Sequence, residues 1–300
     1  MSLSTNKMLF IIGAMRSGTT LLAETLDLHP EIVHCPFELR DIWSKYGGVS
    51  MASPKTKDRF CCFMDETNQK PYQAQLISDE FNKRYKKHGR FKNKNAYFLN
   101  KNPHLCNKIR LLKTIFPESY IIWIMRDMYS VIHSLSALFE KIYTSKNYFH
   151  YWPEASSKET FRCFSCFDKN FVNKYNVRKD RLFPGGNMEY LAEYWLESNL
   201  SLADYYSEHS SSKLFRISEE ELIAEPHKKL SEICDFLAIN NNNFNKNRFT
   251  NWDLSRNDKW KKSQTENDKK LLSEFIIKNI DLLNKISPNL AKEYQHAISY

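Results

Sequence analysis

The sequence predicts an α/β fold: a P-loop-like parallel β-sheet flanked by helices on both faces, with a loop-rich insertion and a helical C-terminal end. Three observations carry this expectation. Short apolar runs alternate with helical periodicities from Met8 to Leu237, as successive βα units do. The first run ends at Gly13 and passes through a turn rich in glycine and hydroxyls into a helix. The stretch from Tyr143 to Gly186 holds no regular period, and beyond Asn243 only helical patterns follow an asparagine-rich loop. With 300 residues the chain can bury a substantial core, and one domain over residues 1–300 is expected.

Met8-Leu-Phe-Ile-Ile-Gly13 is apolar throughout, the mark of a parallel strand buried on both faces. Leu21, Leu22, Thr25 and Leu26 lie near helical spacing and predict a helix from Thr19 to Leu28, stopped at His29-Pro30. Glu31–Cys35 reads as a second strand, and Glu38 to Trp43 as the start of a helix or loop above it. Residues 50–95 are polar and basic, with a helix around Gln73 to Lys87. Ala96–Asn100 is a third strand, leading through Asn102-Pro103 into a helix over Leu105–Ile115.

Ser119-Tyr-Ile-Ile-Trp-Ile-Met125 is the densest run of β-formers, and a helix from Tyr129 to Ile142 follows. The aromatic, basic segment of about 143–186 reads as a loop-rich insertion near a binding site. Met188–Tyr206 is an amphipathic helix and Lys213–Ile217 a further strand. Helices are expected from Glu225 to Leu237, near Gln264 to Asn284, and near Asn289 to Ala297.

A formal charge of +9 suits solubility and polyanionic partners alike, so the positions of the charges must decide. No apolar run is long enough to span a bilayer, and none reads as a targeting segment, so the expected location is cytoplasmic. Seven scattered cysteines, an odd number, agree with a reducing compartment. Cys163-Phe-Ser-Cys166 has no second pair to complete a zinc site, and no metal is expected.

Chemistry concentrates in Gly13-Ala-Met-Arg-Ser-Gly18-Thr19-Thr20, between a strand and a helix. Unpaired N–H groups in the first turn of such a helix point at a bound anion, and the helix dipole favours its charge. Thr19 stands where a Walker A loop carries lysine, which argues against ordinary triphosphate chemistry. Arg16 supplies a cation earlier in the loop instead. A P-loop nucleotide kinase or nucleotidase remains an alternative, as does a non-enzymatic polyanion- or nucleic-acid-binding protein. Arg126 closes the strongest strand, and Ser134 lies eight residues on, about two helical turns into the next element. Such a pair can close on one anion, the arginine through its rigid fork.

Arg16-Ser-Gly-Thr-Thr-Leu-Leu22 with His29-Pro-Glu-Ile32 resembles the 5'-phosphosulfate loop of sulfotransferases that use 3'-phosphoadenosine 5'-phosphosulfate (PAPS). The likeness is greatest to the tyrosylprotein type and its bacterial relatives, and it covers most of residues 8–262. The resemblance implies that Arg16, Ser17, Gly18, Thr19, Thr20 and Leu21 hold the donor, and that Arg126 and Ser134 take its 3'-phosphate. Met128 stands where the family usually has proline. A Glu-x-Arg pair follows the family's HPxI turn. Here, with one inserted residue, it becomes Glu38 and Arg40, the implied base and a residue orienting it or the acceptor.

Asn100-Lys101-Asn102-Pro103 is similar to the family's NKDP-like segment, which makes Lys101 the cation for the transferring group, although Asn102 replaces the aspartate. The resemblance places Arg256 and Lys259 in a basic segment over the adenosine and 3'-phosphate, and implies Trp260 as a stacking partner for adenine. His34 and His104 are rival bases without the flanking pattern of histidine-dependent relatives. The implied reaction is in-line sulfuryl transfer from PAPS, releasing PAP, to an acceptor hydroxyl on a small molecule, carbohydrate or peptide. Neither a metal nor a nucleic-acid partner is expected.

Overall fold

A computed structural model describes residues 7–36, 38–46, 70–89, 92–93, 95–154, 164–174, 177–209, 213–241, 244, 259–261 and 264–298. Its strands are β1 (Met8–Ile12), β2 (Ile32–His34), β3 (Tyr97–Lys101), β4 (Tyr120–Met125), β5 (Tyr148–Tyr151), β6 (Ser165–Asp168), β7 (Leu182–Phe183) and β8 (Leu214–Ser218). Its helices up to the middle of the chain are α1 (Thr19–Leu26), α2 (Arg40–Lys45), α3 (Gln73–His88), α4 (Ile109–Ile115), α5 (Met128–Lys146) and α6 (Lys169–Lys174). The remainder are α7 (Met188–Glu208), α8 (Glu219–Ala224), α9 (Pro226–Leu237), α10 (Glu266–Lys278), α11 (Ile280–Ile286) and α12 (Pro288–Ile298). The described residues divide between two compact units, one drawn from spans 1–49, 64–126 and 205–254, the other from 50–63, 127–204 and 255–300.

The first unit is built on five parallel strands in the order β2-β3-β1-β4-β8. Parallel neighbours need long crossovers, and helices supply them on both faces, so the strands are apolar at nearly every position. Leu9, Ile11, Leu99, Ile122 and Ile124 pack on one face against α1, α8 and α9 through Leu22, Leu222 and Ile233. The other face is aromatic. Phe10 and Phe98 meet Trp43 of α2, Phe81 of α3 and Phe116, with ring centroids 5.0 to 6.2 Å apart between each strand residue and its partners. Each such fully buried large side chain stabilises the fold by roughly 1.5–3 kcal/mol.

Two boundaries move in a way that matters for the site. The third strand begins at Tyr97 and reaches Lys101, so that lysine is held by the sheet rather than by the following turn. The helix expected over 105–115 is instead a 3-10 segment, Pro103–Lys108, followed by α4. Asn102 opens the 3-10 segment by accepting a hydrogen bond from the His104 N–H at 3.0 Å. Helix α8 falls between the expected strand ending at Ile217 and the helix expected from Glu225, where no separate element was assigned. Ser218 and Glu221 form a reciprocal capping box that starts it.

In the second unit the expected loop-rich insertion contains a three-stranded antiparallel sheet, β6-β5-β7. Aromatic residues at nearly every position of Tyr148-Phe-His-Tyr151 hide a period of two. His150 stacks on Phe139 of α5 with centroids 4.0 Å apart, and Phe139 also packs on Phe164 and Phe183. Asp127 caps α5 by accepting from the Ser130 N–H, and the Tyr294 hydroxyl of α12 donates to the same carboxylate. Among the described residues no helix is long and apolar enough to cross a membrane.

Candidate functional site

All five strands of the first unit run in one direction, so their C-terminal ends share one edge, the edge where α/β sheets place their ligands. The chain that follows each strand contributes a group there or nearby. In sheet order these are Glu38 after β2, Lys101 at the end of β3, the loop 13–18 after β1, Arg126 after β4 and Glu219 after β8.

The loop has a shape that its sequence dictates. A Cβ on Gly13 would run into the Ile124 carbonyl, so glycine is required where the loop leaves the sheet. Arg16 and Gly18 both have positive φ, 72° and 82°. Gly18 is the N-cap of α1 and brings no side chain to cap it. Ser17 is fully buried, and its Oγ has no hydrogen-bond partner among the described residues, which costs about 1–3 kcal/mol unless a ligand supplies one. Thr19 is buried in the first turn, whereas Thr20 is exposed and Leu21 half-buried. An orphaned hydroxyl, an open helix start and nearby arginines fit an anionic group with several oxygens.

Arg126 donates through Nη1 to the Arg16 carbonyl at 3.2 Å, tying the end of β4 to the loop. Its Nε lies 2.5 Å from Oε2 of Glu219, and both side chains are nearly buried. The Glu219 Cγ and Oε1 stand 2.9 and 3.0 Å from where a Gly18 Cβ would be. Desolvation and the Arg126 charge lower the pKa of Arg16, while Glu219 opposes them. Glu219 is the functional candidate that the sequence reading missed. Its only signal was a glutamate run directly after a predicted strand.

On the other side of the loop, Lys101 Nζ donates to Glu38 Oε1 at 2.6 Å, and Arg40 Nε lies 3.3 Å from Oε2. The Glu38 carbonyl accepts from Asn102 Nδ2 at 3.2 Å, fixing the backbone beside the carboxylate. Lys101 is 8% exposed and Glu38 17%, whereas Arg40 is 58% exposed, so the lysine contact is the better shielded one. Burial alone would raise the Glu38 pKa. The Lys101 hydrogen bond and charge, with that of Arg40, outweigh burial and hold the carboxyl below its ordinary value.

Burial shifts both rival histidines toward the neutral form. Burial, with Arg40 and Lys108, pushes His104 down to about 3, and burial also lowers His34. A ring with so low a pKa accepts a proton poorly near neutral pH.

The remaining candidates lie in the second unit or outside the described residues. Ser134 is half-buried on α5. Lys259 is exposed at the start of a short 3-10 turn, 259–261. Trp260 in that turn stacks on Tyr129, with centroids 4.4 Å apart, so one face of the indole is already covered. Arg256 lies outside the described residues.

A family model described as the sulfotransferase family matches residues 9–243. No curated protein matches the chain. A sulfotransferase from Alicyclobacillus acidocaldarius is similar in structure, with a TM-score of 0.51 at 15% identity, covering 92% of this chain and 93% of that one. The sulfotransferase domain from the curacin biosynthetic pathway gives 0.49 at 18%, over 89% and 96%. A mouse sulfotransferase complexed with PAP gives 0.49 at 16%, over 99% and 91%.

Proposed function

We infer the reaction from one premise: the chain belongs to the sulfotransferase family, whose model spans most of its length. We propose that it transfers a sulfuryl group from PAPS to an acceptor hydroxyl, with Glu38 as general base. The observation that carries this reading is the 2.6 Å bond between Lys101 and Glu38 at the C-terminal edge of the sheet. It joins a proton acceptor to a cation on β3, the strand beside the one from which the proposed donor loop grows.

In the proposed reaction Glu38 takes the acceptor proton through a carboxylate oxygen while the acceptor oxygen forms its bond to sulfur. The bond from sulfur to the 5'-phosphate oxygen breaks, and PAP departs with that electron pair. Arg16, Lys101 and the N–H groups at the start of α1 offset the negative charge on the sulfuryl and phosphate oxygens. Arg126, Ser134, Arg256 and Lys259 are the proposed 3'-phosphate contacts, and Arg40 orients Glu38 or the acceptor. The Glu-x-Arg pair and the Asn-Lys-Asn-Pro segment support a mechanism of the tyrosylprotein type. The acceptor class proposed is a hydroxyl on a small molecule, carbohydrate or peptide.

Lys101 has two claims on it. Without donor it neutralises Glu38 and weakens it as a base. A bound sulfonate competes for the ammonium, and as Lys101 turns to it the Glu38 carboxylate becomes more basic. Base strength is thereby tied to donor occupancy.

The test is transfer of radiolabelled sulfate from PAPS over a panel of hydroxyl acceptors, with Glu38→Gln as control and PAP binding measured by thermal shift. Transfer that is lost in the variant, with PAP binding kept, is the expected result. Undiminished transfer removes Glu38 as base, and a wild-type protein that does not bind PAP removes the reading.

A further inference from the structure

We infer that Glu219 is an internal anion that occupies the donor site's cations when the donor is absent, so that PAPS binds by displacing a carboxylate of the protein itself. The inference rests on the donor reading above and adds a control element to the same site.

Four observations lead to it. Glu219 is 8% exposed at its side chain, and a buried carboxylate is costly unless paired. Its partner is Arg126, at 2.5 Å, the residue proposed to grip the 3'-phosphate. Its Cγ and Oε1 press on Gly18, a contact that the absence of a side chain there allows. Gly18 is in turn the uncapped N-cap of α1, where the helix dipole favours negative charge. One carboxylate therefore stands among the features that a phosphate or phosphosulfate would seek: an arginine fork, a helix start and the charge of Arg16.

Two anions cannot share this cluster without repulsion. If Glu219 stays in place, the donor meets a negative charge beside the arginine it needs. If Glu219 turns away, Arg126 exchanges one anion for another and the net gain on binding is smaller. Either way the carboxylate lowers donor affinity, and in return it keeps the loop and Arg126 in position before the donor arrives. Its contacts do not complete the loop, because the buried Ser17 Oγ still lacks a partner among the described residues. That hydroxyl is left for the incoming anion.

The experiment compares wild type with Glu219→Gln and Glu219→Asp. Calorimetry gives the PAP dissociation constant, and thermal unfolding is followed with and without PAP or inorganic sulfate. Glu219→Gln is expected to bind PAP on the order of tenfold tighter, a gain of about 1.4 kcal/mol. It is also expected to melt earlier than wild type without ligand and to regain the difference in sulfate. Glu219→Asp keeps the charge and is expected to stay near wild-type affinity. A folded Glu219→Gln protein that binds PAP no better than wild type overturns the inference.

Should that variant not fold, a structure of the wild-type protein with PAP decides. Loss of the Arg126–Glu219 contact supports displacement, and its retention overturns it. A wild type that binds no PAP removes the donor reading rather than this one. The sulfate arm then stands alone: stabilisation of Glu219→Gln by sulfate beyond that of wild type supports the internal anion, and equal stabilisation refutes it.

Discussion

Lys101, at the end of β3, and Glu38, in the chain that follows the neighbouring strand β2, meet in a 2.6 Å hydrogen bond that is largely shielded from water. The pair sets the proton affinity of the proposed base, and its consequences can be measured separately from those of the donor loop.

Replacing Glu38 by Gln is predicted to lower the turnover number by roughly a hundredfold to ten-thousandfold, the usual contribution of a general base. The PAP dissociation constant should move little. Single-turnover transfer with saturating donor, beside calorimetry, separates the two effects.

Lys101→Met tests the electrostatics. With the lysine gone, burial is the largest remaining influence on Glu38 and its pKa rises. The acid limb of the pH–rate profile should therefore shift to higher pH, on top of a lower plateau. The sign for stability follows from the same depressed pKa. The stabilisation by Glu38 is fully present above its unfolded value of about 4.3 and is lost as the pH falls through the lower folded value. Urea titrations between pH 3 and pH 6, with and without the substitution, check this.

Arg126→Ala is predicted to weaken PAP binding by about 2 kcal/mol or more, because it removes a charge-assisted contact and takes a cation away from the buried Glu219 carboxylate. Arg126→Lys should recover little of this, since an ammonium cannot reproduce the fork. Comparing calorimetric affinities for PAP and for adenosine 5'-phosphosulfate locates the loss at the 3'-phosphate.

The loop glycines should differ in kind. Gly13→Ala places a methyl against the Ile124 carbonyl where the loop leaves the sheet and is predicted to cost about 3 kcal/mol or more of stability. Gly18→Ala forces a side chain to φ 82° beside Glu219, at a cost of about 1–2 kcal/mol. The second variant should fold but bind PAP poorly. Chemical denaturation and thermal shift with PAP distinguish them.

His150 gives a pH signal independent of the site. Burial against Phe139 lowers its pKa to about 4, so the native ring stays neutral while the unfolded one takes a proton below about 6.5. Stability should fall with decreasing pH across that window by up to ~1.4 kcal/mol per pH unit. His150→Leu is predicted to remove that share of the slope in urea titrations.

Much of this was legible in the sequence because parallel strands buried on both faces announce themselves as unbroken apolar runs. Met8–Ile12 and Tyr120–Met125 were found in this way, and the glycines between β1 and α1 marked the loop. Lys101 and Glu38 were found through resemblance to a motif, and their bond required the register that pairs β2 with β3. Glu219 was hidden because a charged run after a strand ordinarily faces water. Only the packing of β8 beside β4 brings its carboxylate to Arg126. The sheet in the insertion was missed because aromatic residues on both faces of β5 erase the alternation that reveals a strand.

The order of the sheet gives the site a seam of unequal strength. The proposed donor loop grows from the central strand β1, flanked by β3 and β4. Glu38 follows β2, a three-residue strand at one edge, where local opening costs least. On warming, the acceptor side should come apart before the donor side. Turnover would then be extinguished while PAP is still held, and the heated protein would become a binder of its own product before it becomes an unfolded chain.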